Sequence, residues 1–315
     1  MHMPVKTVVM LALLYLTTRL MASPVYTIQQ IISPSDPTLT LALGINDAGT
    51  ITGTNGTPKQ GFVLTLPNSF TPQNFPGSTA TQVFDINNAG NTVGFYVDGG
   101  GGTHGFVNQG GTFSTVDAPG AAVTELLGLN NTNEAVGFSG TGAILGQQAF
   151  SEVGGAFTYL LLPSNVRSQA TGINSAGNIV GWYMPDSSSS IGFLDVGGVI
   201  TSVVAPGAIF TEAWGINDSG AIVGNYVDAA NVTHGFIDLG GMFTSFDVPG
   251  ADLTTITDIN NSGQIVGWYT DASNDIFGFV ATPTSVPEPA SLTLLSIGLA
   301  SVIILRQRQL NRAQI

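Results

Sequence analysis

A tandem repeat constrains this chain more than any other feature of its sequence. The phrase GINDSGAIVGNYVD begins at Gly215, GINSAGNIVGWYM at Gly172, DINNAGNTVGFYVD at Asp85 and DINNSGQIVGWYTD at Asp258, with looser copies at Gly44 and Gly128. Asn46, Asn87, Asn130, Asn174, Asn217 and Asn260 mark equivalent points, spaced by 41, 43, 44, 43 and 43 residues. A Gly-Phe pair keeps the same period at Gly61-Phe62, Gly105-Phe106, Gly192-Phe193, Gly235-Phe236 and Gly278-Phe279, with Ala149-Phe150 in the third copy. A proline precedes the asparagine by 11 residues at Pro76, Pro119, Pro163, Pro206 and Pro249. Three independent markers on one period identify a tandem array. A phrase used this often is architecture rather than an active site.

Each unit divides into four extended pieces: one ending in GIN or DIN, one like QIVGWY, one like HGFID and one like MFTSFDVPG. They are separated by N-x-x-G, by Y-x-D with a variable loop, by Gly-Gly and by Pro-Gly. Short strands with such punctuation form antiparallel meanders, and four strands in about 43 residues is the size of one propeller blade. In NNSG the first asparagine bonds its own backbone two residues on, and the glycine takes a left-handed conformation. Asn260 and Gly263 therefore serve a corner, as do Asn217 and Gly220. The third copy has Asn133 in the glycine slot, and Asn is the next residue best tolerated there.

The last unit stops after FGFVATP and lacks its fourth strand, while PVYTIQQIISP at residues 24–34 resembles that strand and lies directly before the first unit. Pairing the two ends would remove the exposed edges of an open array. The expected fold is all-β: a six-bladed β-propeller of four-stranded antiparallel blades, closed by the N-terminal strand, with an open β-solenoid as the alternative. The composition agrees. The chain has 41 glycines among 315 residues and only 9% charged residues. It has no cysteine, which excludes disulfides and thiolate metal sites.

The two ends read as addresses. Lys6 and the apolar run Val8 to Leu16 form a secretory signal with a cleavage point near Ala22. At the other end Pro287-Glu288-Pro289 precedes an apolar run from Ala290 to Leu305 and then Arg306 and Arg308. Sixteen helical residues span about 24 Å, so a membrane helix there would need its arginines to snorkel. This order of parts closely resembles the PEP-CTERM sorting signal. The resemblance implies an exosortase-type protease that recognises Pro287, Glu288 and Pro289, a C-terminal transmembrane helix before processing, and display at the cell surface or outside it. The expected division is a signal peptide over 1–22, the propeller over 23–283 and the sorting segment over 284–315. The repeat pattern itself, over roughly residues 35 to 281, is similar to the HAF family of extracellular repeats. Its HGF signature is intact at His104-Gly105-Phe106 and His234-Gly235-Phe236. That resemblance implies an exported repeat protein and no assigned activity.

Between residues 23 and 289 only Lys59 and Arg167 are basic, against 20 acidic residues. A surface of that sign repels phosphates, which argues against nucleic acid as a partner. If the GIN strand is innermost, one rim of the ring gathers Asp98, Asp117, Asp186, Asp228, Asp247 and Asp271. Clustered carboxylates and carbonyls suit a hard cation such as calcium, although aspartate is also a favoured turn residue. His104 and His234 lie three repeats apart, too far across a ring to share one metal ion. Glu125 and Glu212 hold similar places before their GLN and GIN strands and reach toward a channel. Trp182, Trp268, Phe95, Phe138 and Asn225 share one slot, read as packing between blades with sugar stacking as the alternative. No G-x-S-x-G, H-E-x-x-H or phosphate-loop motif occurs. The sequence thus points to a non-catalytic binding or structural component of the extracellular polysaccharide matrix or envelope. The alternative is a carbohydrate-active propeller enzyme, a hydrolase or lyase. No cofactor is implied beyond calcium.

Overall fold

The computed structural model describes residues 25–143, 146–163 and 166–284. The expected signal peptide, the motif Pro287-Glu288-Pro289 and the expected membrane helix lie outside the described residues. Among the described residues no helix is long and apolar enough to cross a membrane. Residues 27–282 form one compact unit, and the described residues 25–26 and 283–284 belong to a second, terminal one. In the terminal unit the Thr284 hydroxyl donates to the Val25 carbonyl at 2.8 Å.

Twenty-four strands account for the regular structure of the described residues. After β1 (Val25–Ile31), the first repeat gives β2 (Thr40–Ile45), β3 (Thr50–Asn55), β4 (Gln60–Thr65) and β5 (Ser69–Pro72). The second gives β6 (Ala80–Ile86), β7 (Thr92–Val97), β8 (Thr103–Gln109) and β9 (Thr112–Val116). The third gives β10 (Val123–Leu129), β11 (Ala135–Gly140), β12 (Gln148–Val153) and β13 (Ala156–Tyr159). The fourth gives β14 (Arg167–Ile173), β15 (Ile179–Met184), β16 (Ile191–Val196) and β17 (Val199–Val203). The fifth gives β18 (Phe210–Ile216), β19 (Ala221–Val227), β20 (Thr233–Leu239) and β21 (Met242–Phe246). The last gives β22 (Leu253–Ile259), β23 (Ile265–Thr270) and β24 (Ile276–Thr284).

Within each repeat the strands pair as an antiparallel meander, and the all-β fold is propeller-like. The last sheet has the order β1-β24-β23-β22, so a strand from the start of the chain is its outermost member. Ile31 of β1 is buried and packs in one cluster with Ala42, Ile45 and Val280. The expectation of six separate four-stranded sheets is corrected on one point. The strands form four four-stranded sheets and one eight-stranded sheet, the latter combining the second and third repeats. The reason is local: Val123 at the start of β10 pairs in parallel with Thr103 at the start of β8, and this single bridge joins the two meanders.

Each meander is built around one phenylalanine. Phe62, Phe106, Phe150, Phe193, Phe236 and Phe279 are the largest fully buried side chains. Each pairs across strands with the glycine of the IVG-type strand: Gly53, Gly94, Gly137, Gly181, Gly224 and Gly267. The ring lies where a side chain on that glycine would stand. A Cβ on Gly224 would meet the Phe236 ring at 2.8 Å, and one on Gly267 would meet Phe279 at 2.9 Å. The Gly-Phe marker and the IVG glycine are thus two halves of one packing unit, which explains why they share a period.

The first strands of the repeats are innermost. They touch one another in sequence order, β2 to β6 to β10 to β14 to β18 to β22, and β22 touches β2. At their far ends six asparagines close a hydrogen-bonded ring. The side-chain amide of Asn46 donates to the carbonyl of Asn87 (3.2 Å), Asn87 to Asn130 (3.2 Å), Asn130 to Asn174 (3.3 Å), Asn174 to Asn217 (3.1 Å), Asn217 to Asn260 (3.1 Å) and Asn260 back to Asn46 (3.1 Å). The other side of each amide caps its own turn. Asn217 Oδ1 accepts from the N–H of Ser219 at 3.1 Å and of Ala221 at 3.0 Å. Gly220 and Gly263 have φ of 81° and 77°, and Asn133 has φ of 63°. The corner reading of this motif therefore holds, and the same residue also ties each repeat to the next.

Candidate functional site

Every innermost strand carries the same irregularity. Register shifts between Ala42 and Gly44, Val83 and Asp85, Leu126 and Gly128, Ala170 and Gly172, Ala213 and Gly215, and Ile256 and Asp258 each leave one extra residue, a β-bulge. The extra residues are Leu43, Phe84, Leu127, Thr171, Trp214 and Thr257. All six line one or other of two cavities along the axis, as does Asp258, the very next residue after Thr257. A regular strand would send neighbours to opposite faces; the bulge turns both toward the channel.

At the asparagine end the channel is narrow and polar, a cavity of about 60 Å³ lined by the ring residues. Above it the glycine slot of the bulge is occupied by aspartate in two repeats. Asp85 accepts from the N–H of Ile86 and of Leu129, both at 2.7 Å. Asp258 accepts from the N–H of Ile259 at 2.7 Å and of Ile45 at 2.8 Å. Burial pushes Asp258 up to about 6 against these hydrogen bonds. Burial, and next the charge of Asp258, hold Asp85 well above the usual carboxylate range.

At the opposite end the channel widens into a cavity of about 370 Å³. Its wall includes Lys59, Gln82, Glu212, Trp214, Asn225, Thr255 and Trp268. The Trp214 indole donates to Asn225 Oδ1 at 2.7 Å, and the Lys59 ammonium donates to Gln82 Oε1 at 3.1 Å. Glu125 stands in the same strand slot as Gln82 and Glu212. Desolvation raises it to about 7, while Lys59 and Arg167 oppose the shift. Glu212 is likewise raised by burial, with Asn225, Arg167 and Trp214 pulling the other way. Burial lowers Lys59, partly offset by Glu125. Arg167 donates to Gln147 Oε1 at 2.7 Å and lies over the Trp182 ring, 4.9 Å from its centroid. The two basic residues of the propeller region and two of its glutamates thus converge on one end of the channel. No motif revealed this grouping. The signal was the departure from the repeat: Glu where other units have Leu, Gln or Thr, and the only two cations.

The shared aromatic slot splits. Phe138 and Trp182 are buried, whereas Phe95 and Trp268 are half-buried, and Trp268 reaches the cavity. The slot serves both packing and lining.

The rim aspartates mostly close their own loops. Asp98 accepts from the N–H of Gly100 and Gly102, Asp228 from Ala230 and Val232, and Asp271 from Ser273 and Asp275, at 2.8–3.1 Å. Asp186 accepts from the N–H and hydroxyl of Ser188. The structure brings these residues together only in pairs, around a histidine. His104 Nδ1 lies 2.9 Å from Asp117 and its Nε2 3.4 Å from Asp98. His234 repeats this with Asp247 at 2.9 Å and Asp228 at 3.5 Å. The bond to Asp117 chiefly raises His104. Partial burial lowers His234, but its bonds to Asp247 and Asp228 leave it raised. Among the described residues no group of three or more His, Asp or Glu is arranged to hold a metal ion.

Solved structures share the fold at low identity. A TolB candidate from Agrobacterium tumefaciens superposes with a TM-score of 0.56 at 13% identity, covering 84% of this chain and 100% of that one. A streptogramin B lyase gives 0.51 at 9% identity, covering 82% and 98%. A triple arginine-to-alanine mutant of AofleA from Arthrobotrys oligospora gives 0.50 at 12% identity, covering 85% and 92%. At such identity the likeness is one of fold alone. No curated protein sequence matches the chain. Residues 285–309 match the PEP-CTERM protein-sorting motif, which marks the chain as an exported protein with a C-terminal sorting signal.

Proposed function

We propose that this protein is an exported, surface-displayed propeller of HAF-type repeats that binds the extracellular polysaccharide matrix without turning it over. The observation that carries this reading is the contrast within one channel: a uniform asparagine ring at one end and an open, aromatic, mixed-charge cavity of about 370 Å³ at the other. Aromatic faces beside amides and hydroxyls are the chemistry of sugar contact. Six repeats form a closed ring in this reading, with the eight-stranded sheet counted as two blades; the cyclic chain of asparagine bonds supports that count. A signal peptide over 1–22 is removed on export. A membrane helix beyond Pro287-Glu288-Pro289 holds the chain until an exosortase-type protease releases it. The domain itself then spans 23–283.

Sedimentation of the purified full chain with matrix polysaccharide tests the binding. Co-sedimentation without release of reducing ends is the expected result, and a chain left in the supernatant with every polysaccharide ends the proposal. A second reading, a carbohydrate-active enzyme, is favoured by Glu212, a carboxyl at a cavity wall whose pKa burial raises. Product release that disappears in Glu212→Gln would establish it. The rim aspartates Asp98, Asp117, Asp186, Asp228, Asp247 and Asp271 are a separate arm of the proposal, tested by melting with calcium against chelator.

A further inference from the structure

Lys59 is a half-buried cation at the wall of the wide cavity. One hydrogen bond to Gln82, at 3.1 Å, engages its ammonium, which has three donors. None of the ion pairs among the described residues includes it. Its charged neighbour Glu125 is raised by burial to about 7, so near that pH it supplies only part of a counter-charge. A desolvated charge without a full partner is costly, and a ligand that brings an anion relieves it. The rest of the wall is not the wall of a simple anion site. Trp214, fixed through its indole, and Trp268 offer flat apolar faces, while Asn225 and Thr255 offer polar groups. The volume falls within the roughly 300–1,000 Å³ of small-molecule sites.

We propose that this cavity binds one carboxylated pyranose, a uronate residue, with its carboxylate on the Lys59 ammonium and its ring against Trp214 and Trp268. This rests on the carbohydrate-binding reading above and names its ligand class. The net charge of -13 repels an extended polyanion, so the cavity takes a single residue, either a free sugar or the end of a chain.

Titration of the purified full chain, followed by tryptophan fluorescence, compares glucuronate with glucose. Glucuronate is expected to bind at least about tenfold more tightly than glucose, a difference of about 1.4 kcal/mol. Lys59→Gln should reduce that ratio to about two or less, and Lys59→Arg should restore most of it. Equal binding of the two sugars, no binding of either, or an unchanged ratio in Lys59→Gln overturns the proposal. Should Lys59→Gln fail to fold, the wild-type comparison alone decides. A glucuronate-ended oligosaccharide that competes with the free sugar assigns a chain end as the ligand, and failure to compete assigns the free sugar; both support the pocket. Matrix polysaccharide that co-sediments while glucuronate does not bind sinks the uronate site and leaves the broader reading standing. Glucuronate binding without co-sedimentation does the reverse.

Discussion

The two ends of the axial channel are built from the same six strands and could hardly differ more. At one end six asparagines repeat one set of hydrogen bonds around the ring. At the other end the equivalent slot holds Leu41, Gln82, Glu125, Gln169, Glu212 and Thr255. Identity around a ring is what structure demands, because each asparagine completes its neighbour. Diversity around the same ring relieves no packing need that the other copies do not already meet differently. The difference separates scaffold from site: in a repeat protein, function is sought where the copies disagree.

That contrast can be broken by experiment. The largest effect belongs to the shared scaffold. Phe236→Ala should destabilise by about 3–5 kcal/mol in urea unfolding, since it empties a fully buried ring site facing Gly224. Asn217→Ala comes next, at about 2–3 kcal/mol by the same measurement. It leaves the buried N–H of Ala221 without the Asn217 Oδ1 acceptor and removes one of two donors to the Asn260 carbonyl, which keeps the N–H of Gly263.

A mouth residue should behave in the opposite sense. Glu125 has a raised folded-state pKa of about 7, so the stability it contributes is complete below its unfolded value and is lost as pH rises through about 7. Glu125→Gln should therefore match the parent near pH 4 and exceed it near pH 8 by about 2 kcal/mol, allowing for water in the cavity. If it instead destabilises at pH 8 as Asn217→Ala does, the mouth is scaffold and the distinction collapses. The smallest effect is expected at the rim, where His234→Ala should cost less than about 1 kcal/mol even below pH 6, because its aspartate partners are well exposed.

Strands, turns and ring closure were legible because they repeat. Residues of like kind at one period expose a pattern that no single copy could, and the missing fourth strand after FGFVATP pointed to residues 24–34, where the structure places β1 (Val25–Ile31). The joined eight-stranded sheet was not legible, because a single bridge between Val123 and Thr103 depends on where two loops happen to lie. The rim aspartates were named from the turn-rich loops they occupy, and the same property explains their closure of those loops in the structure.

The sequence alone determined the module, its six copies and the asparagine corner, since these depend on spacings and on backbone chemistry local to a few residues. Only the tertiary structure decided which side chains meet. Lys59, Glu125, Arg167 and Glu212 belong to four different repeats. They converge because Glu125 and Glu212 hold one slot on two inner strands, Arg167 begins a third, and the turn before β4 carries Lys59 against the neighbouring repeat. Neither the radius of a ring nor the turn of a bulge can be read along a single strand.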